Sequence, residues 1–147
     1  MKRTNRIIEA CQAQGVELPS EWFARDDGRM CASCAEVWYP KDKHIFACSC
    51  DGMSVEVPRG SYIGPDLALP SNLHEALRLA VIIAGKCGRL SLQFGAKAGK
   101  NSRWFFDMDQ CGGDDLYGDA FASMHNIAVL AAVEKALGLP EWKEPTP

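Results

Sequence analysis

Leu90-Ser91-Leu92-Gln93-Phe94, answered after a turn by Arg103-Trp104-Phe105-Phe106-Asp107-Met108, is the stretch that decides the architecture. Leu90, Leu92 and Phe94 alternate with Ser91 and Gln93, and Trp104, Phe106 and Met108 alternate with Arg103, Phe105 and Asp107. As β-strands, both runs present one apolar face. The Gly and Lys residues between them mark a hairpin connection. Upstream, Asn72 with Glu75 three positions later has the form of a capping box. Leu73, Leu77, Val81 and Ala84 recur at helical spacing until the Gly-containing exit at 85–88. Downstream, Gly112-Gly113-Asp114-Asp115 reads as a loop. Asp119 then reads as the N-cap of a helix that turns Phe121, Met124, Ala128, Ala131 and Ala132 inward and ends at Gly138 before Pro140. The expected order is α-β-β-α. A two-stranded hairpin is marginal in water, so either both helices lie across its apolar face or a further strand extends the sheet.

From about Ser71 to Leu139, this order, the Arg103-Trp104-Phe105-Phe106 hairpin and the Ala-rich closing helix resemble the small αββα "ABA sandwich" proteins encoded by bacteriophages. The resemblance covers the C-terminal half and brings no catalytic motif with it. It implies a phage or prophage origin. It also implies a stoichiometric accessory role, such as inhibition of a host or anti-phage defence complex, CRISPR complexes included.

The N-terminal half reads differently. A short helix is expected from Thr4 to Gln14, capped near Thr4 or Asn5 and closed by Gly15. Leu18 to Phe23 reads as a turn and an apolar anchor, and Asp26-Asp27-Gly28 as a turn. Glu36-Val37-Trp38-Tyr39 and His44-Ile45-Phe46-Ala47 form a hairpin pattern around Pro40-Lys41-Asp42-Lys43, and Met53 to Val57 reads as a third strand. Breakers from Pro58 to Pro65, with Pro70 beyond, place a module boundary there. The expected fold class is α+β: an N-terminal helix and zinc-ribbon-like β module over 1–64, then a two-layer αββα sandwich module over 65–147.

The strongest chemical signal is Cys31-Ala32-Ser33-Cys34, thirteen intervening residues, then Cys48-Ser49-Cys50. A CxxC turn aims two thiolates at one point, and residues i and i+2 of a strand share a face, so a CxC pair can meet the same ion. The pattern resembles a zinc ribbon. Cys31, Cys34, Cys48 and Cys50 are the expected ligands of a structural Zn2+, with His44 the alternative to one thiolate. Four thiolates saturate the ion and leave no position for water, which favours structure over catalysis. A zinc deaminase would need an H-x-E that the sequence lacks, and the CxxC stands outside the βαβ context of a thioredoxin-like site.

Composition narrows the remaining classes. The 147 residues, 47% hydrophobic and 24% charged, suit one or two ordinary globular modules. Sixteen Lys and Arg against nineteen Asp and Glu give a net charge of −3, the wrong sign for attachment to nucleic acid by bulk charge. The basic start meets Glu9 and Gln12 before any apolar signal core, and no apolar run nears the roughly 20 residues of a membrane span. Seven cysteines, an odd number, suit reduced thiols and a metal, hence a cytoplasmic protein (in the host cytoplasm if phage-encoded).

Asp107, Asp109, Asp114, Asp115 and Asp119 have the residue types of a magnesium site, but a polar strand face, a Gly and Asp turn and an N-cap account for all of them. Cys87 or Cys111 with His125 has no local signature of a nucleophile and base, and no catalytic residue is named. Two tips carry cations: Lys97, Lys100 and Arg103 beside Phe105, and Lys41 and Lys43 in the cysteine module. These are the candidate partner contacts, since Arg and aromatic residues on stiff supports concentrate binding energy. The expected function is non-enzymatic binding of a macromolecular partner, a protein first. A nucleic-acid-binding or transcription-regulating zinc-ribbon module is the alternative.

Overall fold

The computed structural model describes residues 2–42, 50, 53–85, 88–95, 103–109 and 116–144. The fold is α+β, with two three-stranded antiparallel sheets and three α-helices among those residues. The chain divides into a unit of residues 1–18 with 65–147 and a unit of residues 19–64. The N-terminal helix, expected with the cysteine module, therefore belongs with the C-terminal half. No helix among the described residues is long and apolar enough to cross a membrane.

In the larger unit, α1 (Lys2–Ala13) precedes α2 (Leu73–Ala84), strands β4 (Arg89–Gly95), β5 (Arg103–Asp109) and β6 (Leu116–Ala122), and α3 (His125–Ala136). The hairpin forms in the expected register: Leu90 lies opposite Met108, Leu92 opposite Phe106 and Phe94 opposite Trp104. The closing segment departs from expectation. Asp119 and Phe121 sit on β6, which pairs with β5, and the helix starts six residues later than its expected cap. The unit is thus α plus αβββα, which corrects the αββα reading. The cause is packing: a Cβ on Gly118 would stand 2.2 Å from the Ala132 carbonyl oxygen, so β6 runs directly under α3 only because that residue is glycine.

Phe106 and Met108 are fully buried under the helices, with Ala128, Val129, Leu130, Ala132 and Val133 of α3 above the sheet. From α2 the buried residues are Ala76, Leu79, Ala80, Ile83 and Ala84, whereas Val81, expected inward, is 51% exposed. Phe94 is also exposed, because it sits on the edge strand β4 while α3 packs on β6 and β5. Asn72 makes no side-chain cap; its Nδ2 donates to the Asp66 carbonyl at 2.7 Å. Thr4 likewise is not a cap but a buried joint, accepting from the Leu67 N–H at 3.1 Å and donating to Asp66 Oδ1 at 3.0 Å.

The helix α1 is held to α3 by a buried charge. Glu134 is 3% exposed and receives Arg3 Nε at 3.0 Å and Arg6 Nη2, while Arg6 also donates to the Pro140 carbonyl at 2.9 Å. Both guanidinium groups lie under Trp142, at 6.0 and 5.1 Å from its centroid, so the C-terminal tryptophan folds back on its own unit. A buried carboxylate is tolerable only because two cations share it.

The smaller unit contains β1 (Gly28–Cys31), β2 (Val37–Trp38) and β3 (Ser54–Val57) in the order β2-β1-β3. Met30 lies between Val37 and Val55, and Cys31 opposite Ser54. The central strand β1 replaces part of the turn expected around Gly28. The expected strand over 44–47 lies outside the described residues. Buried Trp22 meets Tyr62 edge-on at 6.2 Å, and Phe23 meets the same ring at 5.9 Å.

Phe106→Ala should cost about 3 to 5 kcal/mol in a denaturant titration, the range for truncating a buried aromatic, and half-buried Phe105→Ala clearly less. Equal losses would contradict the register. Burial pushes the Cys11 thiol up from 9.0 to about 11. Its neutral form is favoured in the folded state, so this contribution is complete below pH 9 and fades as pH rises toward 11. Cys11→Val should remove that part of the alkaline loss of stability, seen by comparing melting temperatures across this window.

Candidate metal centre

The Sγ atoms of Cys31, Cys34 and Cys50 lie within 4.8 Å of one another. Cys31 ends the central strand β1 and is buried, whereas Cys34 and Cys50 are exposed. The turn between the first two is closed at both ends. The Cys31 N–H donates to the Glu36 carbonyl at 3.0 Å, and the Ala35 N–H donates to the Cys31 carbonyl at 2.9 Å. Ala32 N–H donates to the Met53 carbonyl at 2.9 Å, which ties the turn to the residue leading into β3 and so brings Cys50 alongside.

Two details suit the turn to negatively charged sulfur. The Cys34 N–H points at Cys31 Sγ, 3.5 Å away, and a backbone donor on a thiolate stabilises its charge. Ala35 has φ of 61°, a left-handed conformation that costs a residue with a Cβ about 1 kcal/mol and lets the chain reverse directly after Cys34. Such strain persists where the surroundings enforce it. In a tetrahedral site with metal–sulfur bonds of about 2.3 Å, adjacent sulfurs are about 3.8 Å apart. The observed cluster needs only small side-chain adjustments to close on an ion. The donors are soft sulfur, which suits zinc and disfavours magnesium or calcium.

The other expected site residues divide clearly. Cys48 and His44 lie outside the described residues, as do Lys43, Lys97, Lys100, Cys87, Cys111, Asp114 and Asp115. Lys41 is exposed in the turn after β2, and Arg103 is exposed at the start of β5. Phe105 is half-buried opposite Gln93; the aromatic residue exposed near this tip is Phe94, which the sequence placed inside. Asp107 and Asp119 face each other across β5 and β6, and Asp119 bonds Lys135 rather than capping a helix. Among the described residues, no second group of three close metal-type donors accompanies the cysteines. His125 accepts the Asn126 N–H on Nδ1 at 2.7 Å. A pocket of about 380 Å³ beside Trp142 is lined by Arg3, Glu134, Asp119 and Lys135, charges already paired with one another.

Compared with protein-family models, curated proteins and solved structures, the chain matches none. The phage resemblance therefore gains no support from relatives.

Protein purified without chelator should carry about one metal ion per chain, as expected for a single site, and Cys34→Ser should lose it. Ala35→Gly should keep the metal, since glycine takes φ of 61° without strain, whereas the β-branched Ala35→Val should weaken retention against a competing chelator. Equal retention by both variants would show that the turn does not hold the site.

Proposed function

We propose that the protein is a non-enzymatic binding protein whose 19–64 unit is pinned by a structural zinc ion, held by Cys31, Cys34, Cys50 and Cys48. The observation that carries the zinc reading is the convergence of three thiols from two separate segments on one point. A unit whose described strands have two to four residues gains from a metal the constraint that short strands and a small core supply weakly. In this role the ion does no chemistry; it fixes the turns from which side chains project.

Binding is supported by what the two units expose. Lys41 projects from the turn beyond β2, while Arg25 is engaged by Asp42 and Asp26 and by the Tyr39 ring at 4.2 Å. In the larger unit, Arg103 and Phe94 are exposed near the end of a sheet whose Phe106 and Met108 are buried. Side chains on strands dock with little loss of backbone freedom. The inhibitory, phage-type role implied by the resemblance is one form of such binding, and the proposal stops at binding itself.

The test is capture of a partner from nuclease-treated lysate. Lys41→Glu with Lys43→Glu, or Lys97→Glu with Arg103→Glu, should leave the circular dichroism spectrum unchanged and weaken capture several-fold, as for charges that steer and orient docking. Turnover of a nucleotide, nucleic acid or peptide that is lost in Asp107→Asn would overturn the reading in favour of an enzyme.

A further inference from the structure

The larger sheet ends at β4, which pairs with β5 on one side and with no described strand on the other. An open strand edge presents unpaired backbone N–H and C=O groups, and proteins blunt such edges with short strands, charges, bulges or proline. The other edge strands of the two described sheets carry these devices. β2 has two residues, and β3 has four, exposed Glu56 among them. β6 carries Asp119, tied to Lys135, and a register shift between Met108 and Asp109 interrupts its ladder with β5. β4 has none of them along its middle. It runs seven residues, Arg89 to Gly95, in unbroken register with β5, and its one charge stands at the end.

Apolar surface is left uncovered at the same edge. Leu90 and Leu92 are half-buried, and Phe94 on the same face is 58% exposed although Trp104 backs it at a centroid distance of 4.9 Å. Val81 of α2, the helix that packs on β4, is 51% exposed. The opposite face of the strand offers Ser91 and exposed Gln93, joined by a hydrogen bond of 2.9 Å.

We propose that β4 pairs with β4 of a second copy of this chain, antiparallel about a two-fold axis at Leu92, which joins the two three-stranded sheets into one continuous sheet. The sequence of the strand selects a copy of itself. Directly opposite residues of an antiparallel pair share a sheet face, so the two-fold matches positions of like parity, and the axis at Leu92 engages all seven residues. Leu90 then falls opposite Phe94 of the second copy, twice, which gives each exposed ring an apolar neighbour. Leu92 meets its own counterpart. On the other face Ser91 meets Gln93, hydroxyl against amide, again twice. Arg89 falls opposite Gly95, so no like charges meet. Edge backbone groups point outward at every second residue, and this register matches both alternate sets, so the ladder closes whichever set β4 presents. A foreign strand satisfies the backbone alone; self-pairing also matches both faces.

Sedimentation equilibrium of the full chain tests this. The mass should approach twice 16.1 kDa as concentration rises. Ser91→Lys with Gln93→Lys sets like charges against each other at two points and should raise the dissociation constant roughly tenfold. Ser91→Lys with Gln93→Glu alters the same two positions but sets opposite charges face to face across the two-fold, so this variant should remain dimeric. Both pairs of substitutions lie on the face away from Phe106 and Met108, and both circular dichroism spectra should match the parent. A parent that stays at 16.1 kDa at its highest soluble concentration, a dimer unmoved by the two lysines, or equal loss of the dimer in both variants would overturn the proposal. The zinc ligands belong to the other unit, so the metal reading stands or falls separately.

Discussion

In the smaller unit, Cys31, Cys34 and Cys50, from two separate segments of the chain, converge on one point. Among its described residues the strands are short, and the buried hydrophobic side chains are Trp22, Ala24, Cys31 and Val57. Domains of this size seldom stabilise themselves by burial alone. The left-handed Ala35 and the Cys34 N–H directed at Cys31 Sγ both suit a turn that presents sulfur.

The larger unit is held by different means. A glycine lets β6 pass beneath α3, and Glu134 binds two arginines of α1 across nearly the whole length of the chain. These two features close the fold around Phe106 and Met108. At that end of the sheet His125, the first residue of α3, meets Trp104 at 5.5 Å, while Phe94 on the edge strand β4 stays exposed.

The hairpin register was legible because period-two alternation is strong in both strands, and the cysteine cluster because ligand spacing is a local property of the chain. The start of α3 was not. Leu116 to Ala122 is short, partly Ala-rich and preceded by Asp and Gly residues, so an acidic cap and a strand are equally consistent with it; only the Gly118 to Ala132 approach decides. The inner stripe of α2 was misplaced by one position for a related reason, since Leu77 and Val81 fit the helical period as well as Ala76 and Ala80 do. The Arg3, Arg6 and Glu134 group has no sequence signal, because its partners are far apart and each alone looks like a solvated charge. Its strand phase places Phe94 on the apolar face, and phase gives the face a residue takes but not whether a helix covers it there.

X-ray absorption at the metal edge of the purified protein should find zinc with a shell of four sulfurs at about 2.3 Å and no light-atom ligand. A shell containing oxygen or nitrogen donors in place of sulfur, or protein that folds fully without bound metal, would contradict it.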